Sequence, residues 1–531
     1  MDRNTILAVT LCFLIFMGWQ KLYVEPHMHP GGEITTIVNS PATSNNVANT
    51  QTNLSSGDSQ VASSSQGQIH TPVLSAPHPE KTLPLVTNMG TALLGDGNFF
   101  FSGWSLKNYK LALAPGAPAV DLHSVTQEGG ALSFAFDDPN FGYLNNVQGK
   151  LTSTPQGAVW SYEDANVKLS REFDITGQKP YLDMTVKAEF KAKRPKFAFV
   201  SLASQSPEKD PEAQDRQLVY WTNQNIERLM LKDSQPLKEI PTPVKYIGAT
   251  NRYFILTVVA QGQTQPSGLV QPLGATKAGI SLVYPVSENS ITIPVRVYFG
   301  PKELEFLRQV EPTLDHTVDF GWFTIFAYPL LKLLKWLYQF AQNYGLAIIV
   351  LTILLKILTY PLTYKSMKSM KKMAKLQPQL ARIREKYKDD KEALNREMLT
   401  MMKSNGYNPM AGCLPMLIQM PIFFALYRVL YSSIELYHAP FIFWIRDLSS
   451  HDPFYVTPVL LSLTMFVQQK LTPNTATDPA QARMMQMMPL IFGAFMLALP
   501  AGLTVYMLVN AIASIIQQVI LNKKFDTAPA T

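Results

Sequence analysis

Charge is scarce in this chain. Only 16% of its 531 residues are Asp, Glu, Lys or Arg, against about 25% in an ordinary soluble domain. Cysteine is scarcer: Cys12 and Cys413 are the two present, which excludes a disulfide-rich scaffold and a zinc site built on four cysteines. A glycine-rich phosphate loop, a His-Glu-x-x-His pair, a nucleophile elbow and paired carboxylates are all missing, so the sequence offers no enzyme chemistry, no metal site and no cofactor site. His70, His78, His123 and His316 are scattered and read as surface histidines. What is abundant is apolar: 47% of the residues are hydrophobic. A mean hydropathy of +0.01 therefore averages two unlike halves. The net charge of +7 could point to nucleic acid, acidic lipid or membrane topology, depending on where it sits.

The first half reads as an anchored, exported β domain. Ile6 to Trp19 is uncharged for 14 residues, about 21 Å at helical rise, and extending it to Val24 brings in Lys21 as a snorkelling flank. Met17-Gly18-Trp19 is a poor cleavage site, so residues 1–24 are expected to be an uncleaved anchor. From 31 to 75, 30 of 45 residues are Ser, Thr, Asn, Gln, Gly or Pro. Such a stretch cannot bury enough apolar area to order itself, so 25–80 is expected to be a disordered linker. From about 80 to 310 the period becomes two. Leu182 to Phe190 and Ile291 to Phe299 place apolar residues on one face and polar residues on the other, as half-buried antiparallel strands do. One large β-sandwich over 81–315 is expected, with a short helix near Lys302 to Val310.

The second half reads as an all-α membrane core. Residues 316–342 carry Lys332 and Lys335 on one helical face beside many aromatics, which suits an amphipathic helix lying in the membrane interface. Spans are expected at 343–364, 409–433, 453–470, 484–499 and 501–522. The last two are one uncharged run, Met484 to Asn522, of 39 residues. At about 58 Å it is twice a bilayer core and must break, at Leu499-Pro500-Ala501-Gly502. The loops fall at 434–452 and 471–483, the tail at 523–531. The segment 365–408 holds 12 bases against five acids, an excess equal to that of the whole chain. Positive loops face the cytoplasm. Both termini are thus expected inside and the β domain outside, in the periplasm of a bacterium, and the charge is no nucleic-acid signature.

The 365–408 segment reads as a helical hairpin turning near Tyr387 to Asp390. Met367, Met370 and Met373 line its first arm with Lys371 and Lys372. Met398, Met401 and Met402 lie on the second. These methionines either pack the seam of the hairpin or meet apolar clients. Lys356 is the most informative residue. It lies nine residues before Lys365, about 13 Å deep, where a charge costs about 2.5–3.5 kcal/mol. Thr352, Lys356, Thr359 and Thr363 share one helical face, as do Tyr506, Asn510, Ser514 and Gln517 on the last span. Gln419 lies in the third span, and Thr464 and Gln468 in the fourth. Polar stripes on several helices imply either a hydrated cavity with a fixed cation or a structural hydrogen-bond network. A cavity open to the cytoplasm could shelter a polar polypeptide segment from lipid. A transporter, or a periplasmic peptide- or carbohydrate-binding protein anchored by its membrane half, remain the rival readings.

Several stretches carry a resemblance. They are Leu314 to Trp322, Pro329 to Trp336, Tyr360 to Thr363, Asn408-Pro409-Met410-Ala411-Gly412-Cys413-Leu414-Pro415 through Phe423, Thr477-Asp478-Pro479 and Ile515 to Gln518. In this order the chain resembles the YidC/Oxa/Alb family of membrane-protein insertases, in its Gram-negative form, over essentially its whole length. The resemblance implies an insertase and folding chaperone for inner-membrane proteins, working alone or with the Sec translocon and its accessory subunits. It implies a five-helix core around a hydrophilic groove, a client-receiving hairpin and a periplasmic β-supersandwich. The tail, Lys523 to Thr531, makes long-tail ribosome binding doubtful. Lys356 stands where relatives typically carry an arginine, and a lysine lacks the planar fork of that residue. Met507 stands where some relatives have tyrosine.

Overall fold

In the computed structural model, residues 81–527 are described apart from 98–99, 127–131, 176–178, 207–214, 223–224, 232–236, 275, 388–389, 405–409 and 473–478. The expected anchor at 1–24 and linker at 25–80 lie outside the described residues.

The period-two segments form the expected β-sandwich, built from three antiparallel sheets. Four strands, β1 (Thr82–Val86), β2 (Gly90–Gly95), β3 (Phe101–Lys110) and β4 (Ala119–Asp121), pair in sequence order. A five-stranded sheet runs β13 (Lys238–Ile240), β16 (Ser267–Pro272), β17 (Lys277–Pro285), β10 (Phe197–Gln205) and β5 (Leu132–Phe136). The nine-stranded sheet has the order β12-β11-β14-β15-β18-β9-β8-β7-β6, with β12 (Asn225–Met230) at one edge and β8 (Val167–Asp174), β7 (Gly157–Glu163) and β6 (Lys150–Thr154) at the other. Its middle holds β14 (Val244–Thr250), β15 (Phe254–Ala260), β18 (Ser290–Pro301) and β9 (Leu182–Phe190), and β11 (Gln217–Thr222) lies beyond β14. Residues of all three sheets share one apolar core, among them Leu94, Trp104, Val200, Ile280, Met184 and Val297. Pro294 is tolerated inside β18 because pairing with β15 ends at Val295, leaving that end of β18 paired to β9 alone.

The other face of the nine-stranded sheet is covered over β11, β14, β15 and β18, whereas towards β9 it is exposed at Lys187 and Glu189. Val219, Tyr246, Ile255, Val259 and Tyr298 belong to a second core that continues into the helices. After β18 come α1 (Leu304–Val310), a 3-10 turn (Pro312–Thr317) and α2 (Thr324–Ala341). On α2, Ala327, Leu330, Leu331, Leu334 and Leu337 are buried, the i, i+3, i+4 pattern of one face. The opposite face exposes Ile325, Phe326, Trp336 and Phe340, with Trp322 just before it. The two lysines of α2 part company. Lys332 is exposed, whereas Lys335 turns inward to Glu303, Glu305 and Glu435 at 3.0, 3.5 and 3.4 Å.

The helical core comprises α3 (Tyr344–Lys386), α5 (Met410–Ser432), α6 (Val456–Leu471), α7 (Pro479–Met496) and α8 (Ala501–Thr527), with α4 (Lys391–Ser404) beside the far half of α3. Asn343 caps α3 by accepting from Leu346 N–H at 3.1 Å. No break separates the apolar and basic halves of α3: its 43 residues make one rod of about 64 Å, and the hairpin turns after Lys386. The long uncharged run breaks between Met496 and Ala501. α7 begins at Pro479, earlier than the expected 484, because Arg483 limits an apolar count but not a helical backbone, and Pro suits the first helical position. Among the described residues, Tyr344–Lys372 and Ala501–Phe525 are long and apolar enough to cross a bilayer, by length and composition.

Candidate functional site

α8 packs against α3, α5 and α6, and α7 packs on α6. The polar residues of these helices meet along α8. Lys356 on α3 donates from Nζ to Ser514 Oγ at 2.7 Å, and Gln517 Nε2 donates back to the Lys356 carbonyl at 3.1 Å. Ser514 in turn donates to the Asn510 carbonyl at 2.8 Å. Eight residues back along α8, the buried Tyr506 hydroxyl accepts from Gln419 Nε2 of α5 at 3.3 Å. The stripes read from sequence on α3, α5 and α8 thus form one seam, spanning about 16 Å of α8 from Tyr506 to Gln517. Among the described residues no carboxylate pairs with Lys356, whose side chain is half-buried. The cation therefore rests on a hydroxyl dipole, with the amide of Gln517 holding its backbone.

The remaining candidates divide. Thr352 is 1% exposed and its hydroxyl is closed on the Ile348 carbonyl at 2.7 Å, so it offers the seam no free polar atom. Thr359 and Thr464 do the same locally, to Leu355 and Leu460, but both stay half-buried, as does Gln468 one turn beyond Thr464. Helical periodicity puts these residues on one face but cannot see a threonine satisfying itself on the previous turn.

The hairpin residues divide as well. Met367 is 6% exposed, which puts it in packing rather than on a free surface. Met370, Met398 and Met401 are half-buried and Lys372 is exposed. Lys371 turns back on the core, donating to the Asn522 carbonyl at 3.0 Å and lying over the Phe525 ring. The side chains of Met373 and Met402 lie outside the described residues.

Three polar contacts that the sequence did not signal lock the core. Thr457 and Thr504 share a hydrogen bond of 2.9 Å between α6 and α8. Gln518 donates to Thr472 Oγ1 at 3.2 Å. Asp452, 1% exposed, accepts from Trp444 Nε1, Phe454 N, Thr457 N and Thr457 Oγ1 at 2.8 to 3.1 Å. The Asp-Pro pair just before an apolar run hints at a helix start near the last of these, but not at a four-donor carboxylate. The β domain is fastened too: Arg252 Nε donates to the Tyr431 carbonyl at 2.7 Å and Tyr437 Oη to the Lys110 carbonyl at 2.7 Å.

Comparison with known proteins bears on both halves. The 60Kd inner membrane protein family matches residues 336–528, and the YidC periplasmic domain family matches 104–333. A curated membrane protein insertase YidC from Geobacter sp. (strain M21) is 33% identical over 471 residues, covering 84% of this chain and 86% of its own length. The chain belongs to the YidC membrane protein insertase family. Another YidC, from Pelobacter propionicus, is 33% identical across 98% of this chain and 99% of that one. A third, from Geotalea daltonii, is 45% identical over 290 residues, so there the chain spans about half the length of its relative, 54%. Family membership makes this a membrane protein with an all-α core and a β domain of the YidC periplasmic type. These relatives are named insertases and not enzymes.

Proposed function

We propose that this protein inserts and helps fold integral proteins of the bacterial inner membrane, alone or beside the Sec translocon, by offering their polar segments the seam on α3, α5 and α8. The observation that carries this reading is Lys356, a cation on an apolar helix whose side-chain partner among the described residues is the Ser514 hydroxyl. A lysine that served only architecture would be matched by an acid or replaced by an apolar residue. A lone cation with hydroxyl and amide neighbours suits transient contact with an acidic or polar segment in transit. In this reading α3, α5, α6, α7 and α8 cross the membrane, the hairpin of α3 and α4 lies in the cytoplasm to receive clients, and the β domain lies in the periplasm. The rival reading, a periplasmic binding protein with a passive anchor, fits poorly with a β domain whose sheet shares a hydrophobic cluster with the helices.

The test is reconstitution of wild type, Lys356→Arg, Lys356→Ala and Lys356→Met with a single-span client bearing a short acidic translocated tail. Arginine retains insertion, whereas alanine and methionine reduce it about tenfold, the loss of one charge-assisted contact. Equal insertion by all four would refute a role for the charge.

A further inference from the structure

The loop between α5 and α6 presents aromatic side chains in a way that burial does not explain. Phe443 is 82% exposed and Phe454 68% exposed. Both are nevertheless rigidly placed. Phe443 stacks on Trp444 at 5.9 Å and Phe454 meets the same indole edge-on at 6.5 Å. Trp444 is held by the buried carboxylate of Asp452, which also binds the Phe454 N–H and the first turn of α6 through Thr457. Phe443 and Tyr455 keep left-handed backbone angles, φ 54° and 55°, costly for aromatic residues. A fold that strains its backbone to hold large apolar rings outward has an apolar medium to put them in.

The position of the loop says which medium. Asn343 Nδ2 at the start of α3 donates to the Phe441 carbonyl at 3.0 Å, and the Phe441 ring lies against Gly345. The loop thus sits level with the N-terminus of α3. The exposed Trp336 and Phe340 of α2 lie just before this level, Phe340 four residues ahead of the start of α3. On its other side Phe454 leads straight into α6, whose Val459 and Leu463 are 60% and 59% exposed and form part of its apolar flank. The patch is therefore continuous with the lipid-facing surface of a membrane helix. We infer that Phe443 and Phe454, braced by Trp444 and Asp452, form a wedge that enters the headgroup–acyl boundary of the outer leaflet and fixes the depth of α3 and α6 in the bilayer. Aromatic rings favour this zone. The inference rests on the multi-span reading above.

Spin labelling tests it on the full chain in phosphatidylethanolamine–phosphatidylglycerol vesicles, in a Cys12→Ser, Cys413→Ser background. Single labels are placed by Phe443→Cys, by Leu463→Cys as the bilayer reference and by Leu237→Cys, on an exposed part of the β domain, as the water reference. Because Phe443 is exposed, its label gives up the stack on Trp444 but no buried packing. The expected result is a ratio of oxygen to nickel-chelate accessibility at 443 several-fold above that at 237 and approaching that at 463. A water-like ratio at 443 with a lipid-like ratio at 463 overturns the wedge alone. Exclusion of both reagents at 443 also overturns it, in favour of a protein partner such as a second copy. A water-like ratio at 463 overturns the multi-span reading and the wedge with it.

Discussion

Two lysines in this protein show how the same residue type takes opposite roles from its neighbours. Lys356 has a hydroxyl for company, Lys335 three carboxylates. Burial pushes the Glu435 carboxyl above the ordinary range, only partly offset by Lys335. Burial pulls Lys335 down, but Glu435 and Glu303 outweigh it and leave it raised. The attraction of Lys335 therefore holds at neutral pH and is lost only as pH climbs through its raised value. Breaking a buried pair costs about 3–5 kcal/mol because a buried charge is left behind. With Lys335 26% and Glu435 8% exposed, Lys335→Met should fall near the low end, about 3 kcal/mol. Adding Glu435→Gln should restore most of the loss, read as the thermal unfolding midpoint in detergent. If the double variant is no more stable than Lys335→Met, the three-carboxylate pocket is not what holds α2. Sequence marks Lys356 as anomalous on an apolar helix but reads Lys335, with Lys332, as the polar face of an interfacial one. It could not say which had found acids, because Glu303, Glu305 and Glu435 come from two segments far apart in the chain.

Among the elements, strands and long apolar helices were the most legible. Leu182 to Phe190 forms β9 with the alternation intact, and the run from Met484 to Asn522 breaks beside Pro500, because period two and bilayer length are strong local signals. The division into three sheets was not legible, since pairing partners such as β10 and β5 lie some sixty residues apart. Nor was the loop before α6, whose order depends on one carboxylate. Burial raises the Asp452 pKa, but the N–H and hydroxyl of Thr457, the Phe454 N–H and the Trp444 indole outweigh it, so the net shift is downward from 3.8. The sign follows: the stabilisation is present above 3.8 and is lost as pH falls through the depressed value. A spin label at Phe443 should stay immobilised at neutral pH and become mobile only as pH falls through the depressed pKa of Asp452. In Asp452→Asn it should be mobile throughout. An unchanged spectrum at the acid end would show that the Trp444–Phe454 ring contact orders the loop without the carboxylate.

At the scale of the whole molecule, the β domain and the helical core are one packed body along the nine-stranded sheet, with Arg252 and Tyr437 as polar fasteners. Composition had suggested two unlike halves joined in series. The sequence showed which residues were polar on each helix, and therefore most of the seam; contact geometry then removed Thr352 from it, buried and closed on the Ile348 carbonyl, and took Met367 off the free surface of the hairpin. That revision sharpens the central claim, that clients touch the α3–α5–α8 seam and not the apolar flank of the same helices. Photo-crosslinkers placed at Gln419 and Asn510, at the buried Thr352 and at Leu358, 73% exposed on the flank of α3, test it most directly against a ribosome-bound nascent membrane protein. Strong adducts from Gln419 and Asn510, with weak or none from Thr352 and Leu358, are the expected result. Adducts as strong from Leu358 as from Gln419 and Asn510, or none from the latter two, would contradict the account.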